Sequence, residues 1–355
     1  MRGRCAVLAL ACLLLTGCSG LPYPREMGDM ALLRTMGVDR EEDGLGVTVS
    51  TGPRARGLQG EQEGAMVLSA LRPSLSSAVL ALQSLSDSYV FFGYVDQLLL
   101  GEGLTRDGVI PVLDYFARDV ELGLGAQVWV IRDASARQAV ESGGEQGVES
   151  RLSTLRTDGE TGVAAISRTA GEVYSDLLEQ GSCYLPALVL SGPDGTTLME
   201  GGYAVVKDGV LAGFLEGDGA RGLELLAGKP SADVLEVELP QGLATVRVSK
   251  AVTLCSLGAE GQLELTCRVT AHLVERPERL ETGQLEELAR ELEARERRRM
   301  ETALEQLRAW GCDCLGLGAR AGLSAPGQWA RLEPEWEETF SRLAPTLEVR
   351  AEVHG

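Results

Sequence analysis

The chain opens with Arg2 and Arg4, an unbroken apolar run from Ala6 to Leu15, and then Leu15-Thr16-Gly17-Cys18. A charged start, a short apolar run and small residues before a cysteine form the architecture of a lipoprotein signal peptide. The run is too short for the roughly 20 residues of a membrane span. Residues 1–17 are therefore expected to be removed, and Cys18 is the expected lipidation site. The remaining chain must fold outside a membrane while tethered to it. Two acyl chains on Cys18 suffice for stable anchoring, and acylation of the new amine would add a third. A plain secretory signal with an incidental cysteine is the alternative.

A length of 355 residues with 44% hydrophobic composition allows two or three domains, each with its own core. No second apolar run reaches spanning length. Without Arg2 and Arg4 the chain carries 31 basic against 52 acidic residues, a net of −21. Such a charge argues against nucleic acid as a partner and is repelled by anionic lipid, so the anchor rather than the body should hold the protein at a membrane. Five cysteines remain after Cys18: Cys183, Cys255, Cys267, Cys312 and Cys314. Cys255 and Cys267 flank a turn at Gly258 to Gly261 and could form a disulfide across a hairpin, although a tight turn places Cys255 nearer Glu264 or Leu265. Cys312-Asp313-Cys314 is too closely spaced for paired zinc ligands, and His272 and His354 belong to no ligand spacing, so no metal or cofactor is expected. Small buried hydrophobes are the better reading of these thiols.

After a tether at Ser19 to Pro24 the pattern becomes globular. Strands are expected at Met30 to Val38, Gly46 to Ser50, Met66 to Ala70, Tyr94 to Leu100, Gln127 to Ile131 and Leu185 to Leu190. A polar Gly-rich loop is expected at Gly52 to Gly64. Leu75, Val79, Leu82 and Leu85 share one face of a helix over Ser74 to Ser88. Val109 to Phe116 is a second helix with Pro111 near its first turn, where a missing amide donor costs little. Glu141 to Gly162 has the composition of a surface excursion, and Val163 to Leu178 is helical again. This alternation predicts an α/β sandwich core.

Beyond Gly195, Gly202 to Val206 and Val210 to Phe214 surround Lys207-Asp208-Gly209, and Asp-Gly between apolar runs is a strong hairpin signal. Val234 to Leu239, Ala244 to Val248 and Leu263 to Val274 predict a half-buried antiparallel sheet. A long helix is expected from about Gln284 to Trp310, supported by i,i+4 pairs such as Glu286 with Arg290. Glu296 and Arg299 fall within its apolar stripe of Leu285, Leu288, Leu292, Met300, Leu304, Leu307 and Trp310. The helix middle either overhangs its own domain or meets another surface, and overhang is the simpler expectation.

Four stretches now carry a resemblance: PREMGDMALLRTMGVD (Pro24 to Asp39), FFGYVDQLLLGEGLTRDGVIPVLDYFARDVEL (Phe91 to Leu122), GGYAVVKDGVLAGFLEGDGARGLELLAG (Gly201 to Gly228) and LRAWGCDCLGLGARAG (Leu307 to Gly322). In this order, behind a lipobox, they resemble the Ger(x)C family, the C-subunit lipoproteins of spore nutrient-germinant receptors. The resemblance implies a three-domain mixed α/β lipoprotein on the outer face of the spore inner membrane. It also implies two partners, a membrane-embedded A subunit and a B subunit resembling amino-acid transporters. Direct nutrient binding by this chain is not expected. The sequence departs from the family's common Trp-Asp after the lipidated cysteine, having Ser19-Gly20, and has Tyr94 where His or Asn often follows the Phe-Gly.

Catalysis finds no support in the residues. No Gly-x-Ser-x-Gly elbow is present, and neither histidine resembles a base. Gly316-Leu317-Gly318-Ala319-Arg320-Ala321 matches a dinucleotide fingerprint by letter but follows a helix rather than a strand, so it reads as a decoy. Asp107 with Asp114, and Glu216 with Asp218, read as solvated surface, and the glycines of Gly217 to Gly222 as a tight turn into a helix. The expected architecture is α+β with three mixed α/β domains. Residues 1–17 are signal, 18–24 tether, 25–192 an N-terminal α/β domain, 193–242 a small middle domain and 243–355 a C-terminal region of antiparallel sheet plus long helix. The function read from these features is that of a non-enzymatic, lipid-anchored receptor subunit. A solute-binding lipoprotein of a transporter and a cell-envelope hydrolase are the alternatives.

Overall fold

The computed structural model describes residues 30–56, 61–155, 166–230, 233–239, 242–259, 261–275 and 282–355. Its centre is a mixed sheet built from β1 (Met30–Glu41), β2 (Gly44–Thr51), β5 (Val67–Arg72), β6 (Tyr89–Phe91), β7 (Gln97–Gly101), β8 (Gln127–Arg132), β9 (Ser182–Ser191), β10 (Thr197–Lys207) and β11 (Val210–Leu215). The order is β11-β10-β9-β8-β7-β1-β2-β5, with β6 beside the start of β1. The strands β1, β7, β8 and β9 run parallel, and antiparallel pairs extend the sheet at both sides. Between β2 and β5, β3 (Arg54–Arg56) and β4 (Glu61–Glu63) pair as a small hairpin, so the polar Gly52 to Gly64 stretch contains strand.

Parallel strands in the middle of such a sheet are buried on both faces and lose the alternation of a half-exposed strand. Leu98, Leu100, Val128 and Val130 face one core, while Leu99, Trp129 and Ile131 face the other. The first core is roofed by helices Leu75–Ser84, Ile110–Arg118 and Ala170–Gln180. Their starts follow from local chemistry. Ser74 and Thr169 close capping boxes with Ser77 and Glu172, and Pro111 occupies the first turn of its helix. The expected excursion at Glu141 to Gly162 is corrected in its described part, where Val148 and Leu152 are buried in the second core and helix Glu149–Thr154 forms. Its Ser and Gly content describes the connections, and three apolar side chains, Val148, Leu152 and Leu155, seat the helix.

The β10–β11 hairpin has the predicted turn, with positive φ at both Asp208 (51°) and Gly209 (82°), which a two-residue type I′ turn requires. Residues 193–242 divide between two sheets: β10 pairs with β9 in the large sheet, whereas β12 (Asp233–Leu239) pairs with β13 (Gly242–Leu257). With β14 (Leu263–Glu275) these strands form the expected antiparallel unit, and β15 (Thr346–His354) adds to it in parallel. The long helix, Thr282–Ala309, provides the crossover that a parallel pair needs. Leu263, Leu265, Cys267, Val269 and Ala271 of β14 are buried in alternation, facing the second core.

The long helix also grips the two outer strands of this sheet. Arg295 donates to the Val234 carbonyl on β12 at 2.7 Å. Arg297 donates to the Leu347 carbonyl on β15 at 2.5 Å, and the Ala351 amide donates to Glu293 at 2.9 Å. Charged side chains on open edges satisfy backbone groups that would otherwise recruit another strand. Among the described residues no helix is long and apolar enough to cross a membrane.

Candidate functional site

The predicted lipidation site, Cys18, lies outside the described residues. The described chain begins at Met30, whose β1 partner on β6 is Tyr89. The acids singled out as surface are tied to arginines: Asp107 to Arg40 at 3.2 Å, Asp114 to Arg118 at 2.9 Å, Glu216 to Arg132 at 2.6 Å and Asp218 to Arg299 at 3.2 Å. The glycine motif turns at Gly316 (φ 60°) into helix Leu317–Gly322. The Asp313 carboxylate accepts from the amides of Leu317 (2.8 Å) and Gly318 (2.9 Å) and from Trp336 Nε1 (2.9 Å). An acid of the chain thus holds the amides that a phosphate would use.

Cys255 pairs in register with Leu265, and Cys267 with Thr253, as the tight turn implied; both thiols are free. Cys183, Cys267, Cys312 and Cys314 are buried, and burial raises the Cys267 thiol to about 11. Burial also raises the Cys255 thiol, and hydrogen bonding with Cys314 lowers that of Cys312, but Cys312 is buried, so access decides: brief alkylation of the native protein near pH 8 is expected to label half-buried Cys255 first. Mass spectrometry should find the other four labelled only after denaturation. Native labelling of Cys183 or Cys314 would contradict this packing.

Glu296 and Arg299 do not overhang. Glu296 is 1% exposed, and both residues stand in a charged cluster where the long helix, helix Gly217–Ala227 and β12 meet. Glu296 lies 2.5 Å from Arg295 and 3.3 Å from Arg299. Asp233 pairs with Arg295 at 3.1 Å and also with Arg299, which reaches Asp218 on the facing helix. Burial alone would raise the Asp233 carboxyl, but hydrogen bonding to Arg299 and the two guanidinium charges hold it below the ordinary carboxylate value. Gly222 permits the approach: a Cβ there would stand 2.0 Å from the Arg299 carbonyl oxygen. Opposite charges one turn apart in an apolar stripe could have signalled this burial, but the partner acids lie far away in sequence.

A second buried polar group adjoins it. The Tyr203 hydroxyl donates to Glu224 Oε1 at 2.8 Å and accepts from the Ile166 amide at 2.8 Å. Arg221 donates to both Glu224 oxygens, at 3.0 and 3.1 Å. Burial, with Glu224 nearby, pushes the Tyr203 hydroxyl well above its usual pKa, so it remains a donor. Tyr184 stacks edge-on at 5.9 Å and carries Arg168 over its ring at 4.6 Å. Two of the quoted stretches also meet here. Trp310 packs on Gly213, where a Cβ would approach to 2.3 Å, and Arg320 donates to the Leu226 and Thr253 carbonyls, each at 3.0 Å. These contacts join the large sheet to the C-terminal sheet through one apolar core.

A third buried acid stands on β1, inside the large sheet. Asp39 accepts from the amides of Ala136 (2.8 Å) and Arg137 (2.9 Å), the first two of helix Ala136–Glu141, whose cap is Ser135. Burial outweighs these hydrogen bonds and raises its carboxyl. A raised folded value favours the fold in acid, and that contribution is lost as pH rises from the unfolded value through the folded one. Asp39→Asn is therefore expected to flatten the decline in stability just above about pH 4, checked by urea unfolding across pH. An unchanged profile would contradict the assignment.

The family comparisons agree with this architecture. The profile described as spore germination protein N-terminal domain matches residues 24–190, and that described as spore germination B3/GerAC like, C-terminal, matches residues 201–355. The chain is 24% identical over 363 residues to the putative spore germination protein YfkR of Bacillus subtilis (strain 168), covering 95% of this chain and 92% of that protein. Its fold resembles the crystal structure of the GerBC protein with a TM-score of 0.59, at 17% identity, over 94% of this chain and 99% of that one. With both profiles matched in order along nearly its whole described length, the chain belongs to the Ger(x)C family of spore germination proteins.

Proposed function

We propose that the protein is a lipid-anchored, non-catalytic subunit of a spore germinant receptor, held on the outer face of the spore inner membrane and assembled with membrane-embedded A and B subunits. The observation that carries this reading is the pair of family matches spanning residues 24–355 directly behind the lipobox at Cys18. The junction chemistry supports a scaffold. Its buried polar side chains are engaged with one another in ion pairs and hydrogen bonds rather than directed at a reacting group, and they fix the relation of two sheets.

Anchoring confines the body to a thin layer beside the membrane, which raises its effective concentration against embedded partners, so weak contacts suffice for assembly. Cys18→Ala is expected to move the protein from the membrane fraction of disrupted spores to the soluble fraction. Undiminished membrane association of that variant would refute the anchoring.

A further inference from the structure

The sequence contains three lysines among its 33 basic residues: Lys207, Lys229 and Lys250. Lys207 pairs with Glu337. Lys229 and Lys250 line one cleft of about 460 Å³, together with Ser167, Gly228 and Ser249. The cleft lies where the loop before helix Ala170–Gln180 approaches the end of helix Gly217–Ala227 and the middle of β13. Both lysines are exposed, and neither makes an ion pair within the described residues.

Two local features keep these charges available. The acid whose charge couples to Lys229 is Glu172, whose Oε2 already accepts from the Thr169 amide at 2.8 Å and the Thr169 hydroxyl at 3.0 Å. The helix end beside Gly228 would ordinarily repel an anion, but Arg320 donates to the Leu226 carbonyl and brings a compensating charge. A register shift between Val248 and Lys250 places a bulge at Ser249, and bulges re-aim neighbouring side chains. Each ammonium is a compact point charge on a flexible stem, so both lysines can turn toward one bound anion.

We propose that this cleft binds a small anion, a carboxylate or phosphate group carried by a freely diffusing molecule, through the ammonium groups of Lys229 and Lys250. The site goes beyond the assembly role and does not depend on it. Because it sits beside the joint between the sheets, its occupancy would bias how that joint is held.

The test is isothermal titration of the full chain in non-ionic detergent with inorganic phosphate, acetate and succinate, at constant ionic strength set by sodium chloride. At least one anion should bind at a single saturable site. Lys229→Ala and Lys250→Ala should each weaken it about tenfold, the double variant should abolish it, and Lys207→Ala should leave it unchanged. Circular dichroism checks that the variants remain folded. Absence of saturable binding for all three anions, or binding retained by the double variant, would overturn the proposal.

Discussion

Gly222→Ala is expected to destabilise the protein by about 2 kcal/mol or more, read as a lower midpoint in urea unfolding. Two effects oppose each other. Alanine is the better helix former by roughly 1 kcal/mol, and residue 222 lies inside helix Gly217–Ala227. Against this, the new Cβ would stand 2.0 Å from the Arg299 carbonyl oxygen and 2.9 Å from the Ala303 Cβ. Neither is the loose end of a side chain, so the two helices must separate. Separation also opens the cluster around Glu296, and the clash wins. Gly103 supplies the control: it is an exposed helical glycine where an added Cβ would come no nearer than 4.0 Å to another part of the chain, the Arg40 carbonyl oxygen. Gly103→Ala should stabilise by up to about 1 kcal/mol, giving opposite signs for one chemical change at two helices.

The second large effect is expected at Glu296. Removing one member of a buried ion cluster costs far more than the cluster contributes, because the remaining charges stay desolvated. Glu296→Ala leaves Arg295 and Arg299, whose side chains are 14% exposed, to share Asp233 and the more exposed Asp218. The expected loss is about 3 kcal/mol, or roughly 10 °C in melting temperature. Glu348→Ala, on the exposed face of β15 beside Arg350, should cost well under about 1 kcal/mol. A Glu296→Ala loss no larger than that of Glu348→Ala would mean that the cluster is open to water.

Local signals in the sequence carried much of the fold. The Asp208-Gly209 turn, the capping serine and threonine at positions 74 and 169, Pro111 and the alternation of β14 each act within a few residues, and each marks its element. Pairings between distant strands left no comparable trace. No short-range pattern tells β10 to extend the large sheet while β12 joins another, and Thr346–His354 becomes a parallel strand only because the long helix carries the chain back. Glu296 illustrates the same limit at the candidate site. Its charge argued for solvent, and only the three-dimensional arrival of Asp233 and Asp218 beside Arg295 and Arg299 makes burial tolerable. The cysteines went the other way, since small size and lack of ligand spacing were enough to identify buried hydrophobes.

Assembly as a receptor subunit is measured by purifying the tagged protein from mildly solubilised spore inner membranes, with Cys18→Ala in parallel, and identifying the companions by mass spectrometry. Two multi-spanning membrane proteins should accompany the wild-type chain, one of them transporter-like, and the variant should recover far less of both. Recovery of an ATPase with a permease, or of no membrane partner at all, would contradict a receptor subunit.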